Sequence, residues 1–360
     1  MDRNYYTKLA ENVISGEGIS ESEAIRIIED PSLKLLPLLD AAFEVRSHFC
    51  GHTVAIHIIN NVKNGACPED CNYCAQGQSS EAEIETYITK PDDEILDEAA
   101  KAYESGAHRY CMVYSGTGPS QERAEKIAEL VRKIKSALPI EVCVSAGIMG
   151  ESAIKIMKDA GLDRLNHNLN TSRSRYPSIC TTHTYEDRIG TLTHAAKHGL
   201  QICSGIIAGM GETNAERVEL ALELRKAKAR SIPVNFLIPI QGNALTEVTG
   251  LTPETALRIL CMFRFLNPDA EIRAAAGREQ HLRSMEVMAL YPANSLFMNG
   301  YLNTKGSGVL KTLQMIKDAG FTIESDKELD ALIQKEIQSG FHATDKALLK
   351  TVADLRPTLV

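Results

Sequence analysis

A (β/α)8 barrel of the TIM type, with a helical segment before it and a helical tail after it, is the fold class this sequence predicts. Three observations predict it. Eight short apolar stretches alternate with longer helical ones across most of the 360 residues. A chain of this length can bury one large barrel core. A cluster of thiols follows the first apolar stretch directly, where the first βα loop of a barrel opens on the C-terminal face. An open doubly wound sheet is the alternative.

The elements follow in order. The first forty-five residues are expected to be helical, and Ser20 followed by Glu23 forms a capping-box pattern ahead of Ile25, Ile27 and Ile28. Strands are expected over 54–60, 108–115, 140–145, 164–169, 200–208, 232–238, 270–275 and 293–298. Helices lie between them, among others over 92–105, 121–137 and 215–229. From Leu310 the chain is charged and helical, with Gly320 and Gly340 as stops. The expected organisation is a helical extension over 1–45, the barrel over 46–306 and the tail over 307–360.

Composition excludes several classes. The formal net charge is −8 and no long basic run occurs, so nucleic acid is a poor partner. No stretch of eighteen apolar residues is present, so no membrane span is expected. The start, Met1-Asp2-Arg3-Asn4-Tyr5-Tyr6, lacks the apolar core of a secretory signal, which makes a cytoplasmic location the expectation. Nine cysteines in such a chain argue for metal or catalytic use rather than disulfides.

The segment Cys67-Pro68-Glu69-Asp70-Cys71-Asn72-Tyr73-Cys74 carries the most information. Its three thiols supply one ligand fewer than a cubic iron–sulfur cluster has irons, so one iron is left for a small molecule. A zinc site wants four ligands, usually in two pairs, and no second pair follows at a suitable distance. A redox Cys-x-x-Cys would have no use for Cys67. The spacing, with Tyr73 before the last thiol, resembles the signature of the radical S-adenosylmethionine (SAM) enzymes. That resemblance implies a 4Fe–4S cluster on Cys67, Cys71 and Cys74 that binds and reductively cleaves SAM.

Three further cysteines, Cys111, Cys143 and Cys203, each fall inside an expected strand, and Arg273 falls inside a later one. An arginine there is costly unless it meets an anion or a metal. Taken singly, each thiol is an ordinary small core residue; taken with the first triplet, the set points to a second metal site. From about Leu36 to Gly306 the chain resembles the biotin synthase family. The resemblance rests on Asn64-Gly65-Ala66-Cys67-Pro68-Glu69-Asp70-Cys71, Asn166-His167-Asn168-Leu169, Cys203-Ser204-Gly205, Gly209-Met210-Gly211-Glu212-Thr213 and Ala276-Gly277-Arg278-Glu279-Gln280.

The resemblance implies that Cys111, Cys143, Cys203 and Arg273 hold an auxiliary 2Fe–2S cluster, which supplies the sulfur that converts dethiobiotin to biotin. It implies that Asn166 and Asn235 contact the ureido ring, Asn168 contacts SAM, and Thr304 binds the substrate carboxylate. Tyr73 and Asn170 are assigned to the SAM side. A flavodoxin or ferredoxin as electron donor and a homodimer follow from the same likeness. Asn166 and Asn168, two apart, are expected to face the same way. Gly209-Met210-Gly211-Glu212 also has the form of a glycine turn that cradles phosphate. Three departures stand out: Asn170 where the family carries an acid, Asn303 in place of a threonine, and His57 in place of a small polar residue. They keep open an alternative, a related radical SAM enzyme with another small-molecule substrate. A non-catalytic iron–sulfur or zinc protein is the reading from another class. Cys50, Cys180 and Cys261 read as ordinary cysteines.

Overall fold

The computed structural model describes residues 3–339 and 349–356. Its sheet runs β1 (Thr53–Lys63), β2 (Arg109–Tyr114), β3 (Glu141–Ser145), β4 (Arg164–Asn166), β5 (Gln201–Cys203) with β6 (Ile206–Ala208), β7 (Ser231–Phe236), β8 (Glu271–Ala274) and β9 (Ser295–Phe297). Every pair is parallel, and β9 returns to β1 through Ala55↔Ser295, Ile56↔Leu296 and His57↔Phe297. With β5 and β6 sharing one stave, this is the closed eight-stave barrel that the alternating pattern predicts, and the open sheet is excluded.

The strand expected over 293–298 is reduced to Ser295–Phe297 and that over 270–275 to Glu271–Ala274, and two neighbouring ones are cut short or divided for one local reason. The expected strand over 164–169 ends at Asn166, and the one over 200–208 breaks at Ser204 and Gly205. At this point the Asn168 Oδ1 accepts the Gly205 N–H at 3.1 Å, replacing a ladder bond. Asn170 turns into the left-handed region at φ 67°, which its short amide side chain tolerates. Register is nonetheless kept across the break, since Cys203 pairs with Ser231 and Ile206 with Val234. Gly205 passes so close to β7 that an added Cβ would lie 1.9 Å from the Pro233 carbonyl oxygen. Gly205→Ala is therefore expected to destabilise the fold by about 2–3 kcal/mol, seen as a lower urea midpoint with an unchanged slope.

The helices form where the polar and apolar periods predict them. The helix Gln121–Ala137 has the expected bounds, with Ser20-type capping by Ser120, whose hydroxyl accepts the Arg123 N–H. Thr213 makes a complete capping box with Glu216, so the next helix starts at Asn214, one residue before the expected 215. At Ser20 only half of the box forms. Its hydroxyl accepts the Glu23 N–H, while the Glu23 carboxylate accepts the Tyr5 hydroxyl at 2.9 Å. The N-terminal helices Arg3–Ile14, Glu21–Glu29 and Leu35–Cys50 pack on the helix Pro253–Leu266, which is buried at every residue from Ala256 onward. Arg258 of that helix donates to the Ile27 carbonyl at 2.9 Å.

The tail departs from the expectation of a purely helical segment. After the helix Val309–Asp318 and Gly320, at φ 80°, β10 (Thr322–Ile323) adds to the foot of β1. Ile323 is buried there against Val54 and Leu332, and that burial favours a strand. The helix Leu329–Ser339 follows, and a short helix, Val352–Leu355, comes after the stretch that is not described; Gly340 lies outside the described residues. Leu349 bridges back to Thr304, and the Lys350 N–H donates to the Asn303 carbonyl at 2.8 Å.

Side chains alternate along each strand, so every second residue faces the barrel axis. The pairing Arg109↔Glu141, Cys111↔Cys143 and Val113↔Ser145 sets three successive inward levels. The lowest is charged, the middle one carries thiols, and the site opens above them.

Candidate active site

One cavity of about 270 Å³ lies above the charged level, and every residue singled out for chemistry lines it. These are Cys67, Cys71, Tyr73 and Cys74 from the loop after β1, Asn166, Asn168 and Asn170 from the end of β4, Asn235 from β7, and Thr304 from the loop after β9. Cys111, Cys143, Cys203 and Arg273 come from β2, β3, β5 and β8. All these thiols are free of disulfides.

The inner group is held by strand register. Cys111 pairs in register with Cys143, and Cys203 joins them on the same cavity wall. An Arg273 Nη lies 3.8 Å from Cys203 Sγ, and the guanidinium sits 4.9 Å from the centre of the Phe297 ring. The hydrogen bond from Cys143 holds the Cys111 thiol below its ordinary range, helped by Arg273 and Arg109 against the effect of burial. The complementary bonds push Cys143 and Cys203 up, and burial adds to both. Three buried thiols beside a guanidinium, with no disulfide among them, form a donor set that fits a thiolate-bound iron–sulfur group.

Below them lies a polar floor that the sequence did not announce. Glu271 receives Arg109 at 3.0 Å, Arg164 at 2.7 Å, His57 at 2.9 Å, and the Arg273 guanidinium. Arg273 also donates to Ser231 at 2.7 Å and Ser295 at 3.0 Å. Burial alone would raise the Glu271 carboxyl; His57, Arg109 and Arg273 outweigh it and hold the group well below the usual carboxylate range. Burial and then Arg273 drive His57 far below its usual value. Its Nδ1 faces Cys111 Sγ at 3.8 Å.

The outer loop is anchored by its own two acids. Glu69 accepts from Thr182 at 2.5 Å, pairs with His183 at 2.5 Å and meets the Thr117 hydroxyl. Asp70 accepts the Thr181 N–H at 2.9 Å and the Thr182 N–H at 3.2 Å. These bonds tie the thiol loop to residues 181–183, and the Cys74 N–H closes a turn on the Cys71 carbonyl at 2.9 Å. Burial raises the Cys74 thiol, with Cys67 close enough to add to it. The three thiols share the cavity wall and fit a cluster with one open iron.

The amide tier joins both groups. Asn166 Nδ2 lies 3.1 Å from Asn168 Oδ1 and 3.3 Å from Cys203 Sγ, so the two amides meet as expected although the regular strand ends at the first. Asn170 donates to the Tyr73 hydroxyl at 2.6 Å. Asn235 donates to the Ile206 carbonyl at 2.9 Å and accepts the Ala276 N–H at 3.2 Å, which fixes its plane. The Thr304 hydroxyl donates to the Tyr301 carbonyl at 2.7 Å, and Thr304 lines the cavity. Asn303 accepts from Asn64 at 2.8 Å.

The structure corrects two expectations and adds residues. Gly209 and Met210 give their N–H groups to Glu212, both at 2.8 Å, so this glycine turn is filled by a carboxylate and does not cradle phosphate. Cys180 is no ordinary cysteine: it lies beside Cys71, whereas Cys261 is buried in a helix and Cys50 meets Arg264. Arg188 was not foreseen. It donates to the Asn168 carbonyl at 2.9 Å and lies 2.8 Å from His183 Nε2. His167, inside a quoted motif but given no role, buries an Nε2 with no hydrogen-bond partner among the described residues. A single arginine on a helix carries no sequence signal, but a histidine between two site asparagines does.

Fold and site define a class. A sequence model of the Radical SAM superfamily matches residues 62–224, and one of the Biotin and Thiamin Synthesis associated domain matches residues 233–322. The chain is 56% identical over 320 residues to a biotin synthase of Magnetococcus marinus, covering 89% of this chain and 100% of that one. It is 40% identical to a biotin synthase of Bacillus subtilis, covering 91% and 98%. The chain belongs to the biotin synthase family. Among solved structures, methylornithine synthase superposes with a TM-score of 0.76 at 19% identity, covering 90% of this chain and 99% of that one, a likeness of fold.

Proposed function

We infer that this protein is a biotin synthase, a radical SAM sulfurtransferase that converts dethiobiotin to biotin. The observation that carries the reading is the meeting of two thiol groups, one at the mouth and one on the strands, in a single cavity. In this reading Cys67, Cys71 and Cys74 hold a 4Fe–4S cluster, and Cys111, Cys143, Cys203 and Arg273 hold a 2Fe–2S cluster. When bound, the outer cluster supplies the electron that cleaves SAM and the inner one supplies sulfur.

The chain's own residues position and shield. Asn168 and Asn170 face SAM, with Tyr73 fixed by the bond from Asn170. Asn166 and Asn235 present amides to the ureido ring, each offering donor and acceptor. Thr304 receives the carboxylate end. Asn166 touches both Asn168 and Cys203, so the amide that orients the substrate stands between the SAM side and the sulfur side. The buried barrel wall keeps water and stray hydrogen donors from a reactive carbon radical. His57 Nε2 lies 3.1 Å from an Arg273 Nη and 2.9 Å from Glu271, which favours a role in holding those two side chains rather than in binding metal.

A flavodoxin or ferredoxin as donor, a homodimer and a cytoplasmic location complete the proposal. No helix among the described residues is long and apolar enough to cross a membrane. Reconstituted protein given dethiobiotin, SAM and a reductant is expected to form biotin and 5′-deoxyadenosine. 5′-Deoxyadenosine without biotin would overturn the substrate assignment and favour the related enzyme with another substrate.

A further inference from the structure

Beyond both clusters, the mouth of the barrel holds a third arrangement of metal-ligating atoms. Among the described residues, Cys71, Cys180 and His183 bring one ligand atom each within 4.8 Å of one another, and all three are buried. Cys71 Sγ lies 3.7 Å from Cys180 Sγ, and Cys180 Sγ lies 3.3 Å from His183 Nδ1. Two thiolates on a tetrahedral zinc stand about 3.8 Å apart, and a thiolate and an imidazole nitrogen about 3.5 Å, given the usual bond lengths. These two distances therefore stand close to the edges of a tetrahedron. Asp70 Oδ1, 3.2 Å from Cys180 Sγ, adds a negative charge beside the three without joining them as a ligand.

The surroundings support a cation. The Tyr176 hydroxyl lies 2.8 Å from His183 Nε2 and orients the ring from outside, while Nδ1, which Glu69 Oε2 meets at 2.5 Å, must give up that carboxylate to bind the ion. The Arg188 guanidinium, 2.8 Å from Nε2, opposes a positive charge; the Glu69 and Asp70 carboxylates offset it. Two sulfurs and a nitrogen select a thiophilic divalent ion such as zinc or ferrous iron over magnesium or calcium.

We propose that Cys71, Cys180 and His183 form a site for one thiophilic divalent cation in the cluster-free protein. The site is separate from the Cys67, Cys71 and Cys74 triad but shares Cys71 with it. An ion there and the outer cluster exclude each other, because one thiolate cannot serve both. The proposal stands on these side chains and not on the identity of the substrate.

The test uses the full-length, reduced, cluster-free chain titrated anaerobically with Co²⁺ and then Zn²⁺. The wild type is expected to show a thiolate-to-cobalt charge-transfer band that saturates at one equivalent and is displaced by zinc. C180S and H183Q are each expected to weaken binding about tenfold or more, since even outer partners cost about 10–100-fold. C67A, C74A and C143A are expected to leave the band in place. Zinc loaded first is expected to block assembly of the outer cluster in the wild type but not in C180S, scored by iron and sulfide content. C180S that assembles the cluster is also shown to be folded. Unchanged binding in both C180S and H183Q overturns the proposal, as does a loss in C67A and C74A equal to that in C180S.

Discussion

Cys143→Ala is expected to abolish biotin formation while SAM cleavage to 5′-deoxyadenosine continues. Cys143 stands in register with Cys111 and shares the cavity wall with Cys203, so its loss removes one of the three sulfurs of the inner donor set. The loop thiols are anchored separately, through Glu69 and Asp70 to residues 181–183, and lose no contact. Truncating a buried cysteine removes one sulfur and costs the fold about 1–2 kcal/mol, too little to unfold the barrel. Cys71→Ala is the mirror case and is expected to end SAM cleavage itself. Measuring 5′-deoxyadenosine and biotin in the same reaction separates the two. Equal loss of both products in a folded Cys143→Ala protein would sink the division of labour between the two thiol groups.

Glu271→Ala is expected to be among the most destabilising single changes in the chain. Glu271 is the anion shared by Arg109, Arg164 and Arg273, and its removal leaves buried guanidiniums facing one another. Arg109 keeps Glu141 and Arg273 keeps two hydroxyls, but Arg164 keeps only Gln201. Removing one partner of a buried charged network costs about 3–5 kcal/mol. For a chain this long that corresponds to a fall in Tm of about 4–7 °C. A near-wild-type melting temperature would show that the floor does not depend on its central carboxylate. Calorimetry on the cluster-free protein isolates this effect from cluster loss.

The barrel was legible because its strands are short apolar runs set between amphipathic helices, and that contrast survives in one dimension. Ends were less legible where side chains replace ladder bonds, as Asn168 does at Gly205. The thiol loop declared itself through spacing, and the strand thiols through falling in three expected strands at once. The floor was not legible: Arg109, Arg164 and Glu271 are ordinary residues until closure brings three separate strands together. Cys180 was read as ordinary because it lies 109 residues from Cys71, and only the folded path of the segment after β4 brings the two sulfurs together. The filled glycine turn misled for a related reason, since the carboxylate that occupies it lies inside the motif and looked like part of the cradle.

The alternation of inward levels has a bearing on how such a chain can vary. Cys111 and Cys143 face the axis because each is a whole number of residue pairs from Arg109 and Glu141 below it. Adding or deleting a single residue within either strand would reverse its two faces and send the sulfur into the surrounding helices. A change of length that keeps the inner sulfurs in place therefore belongs in loops and termini, and inside the ring only the exchange of one side chain for another leaves them facing the axis. The strands act as a reading frame for chemistry, in which a substitution alters one position and a frameshift erases the whole column.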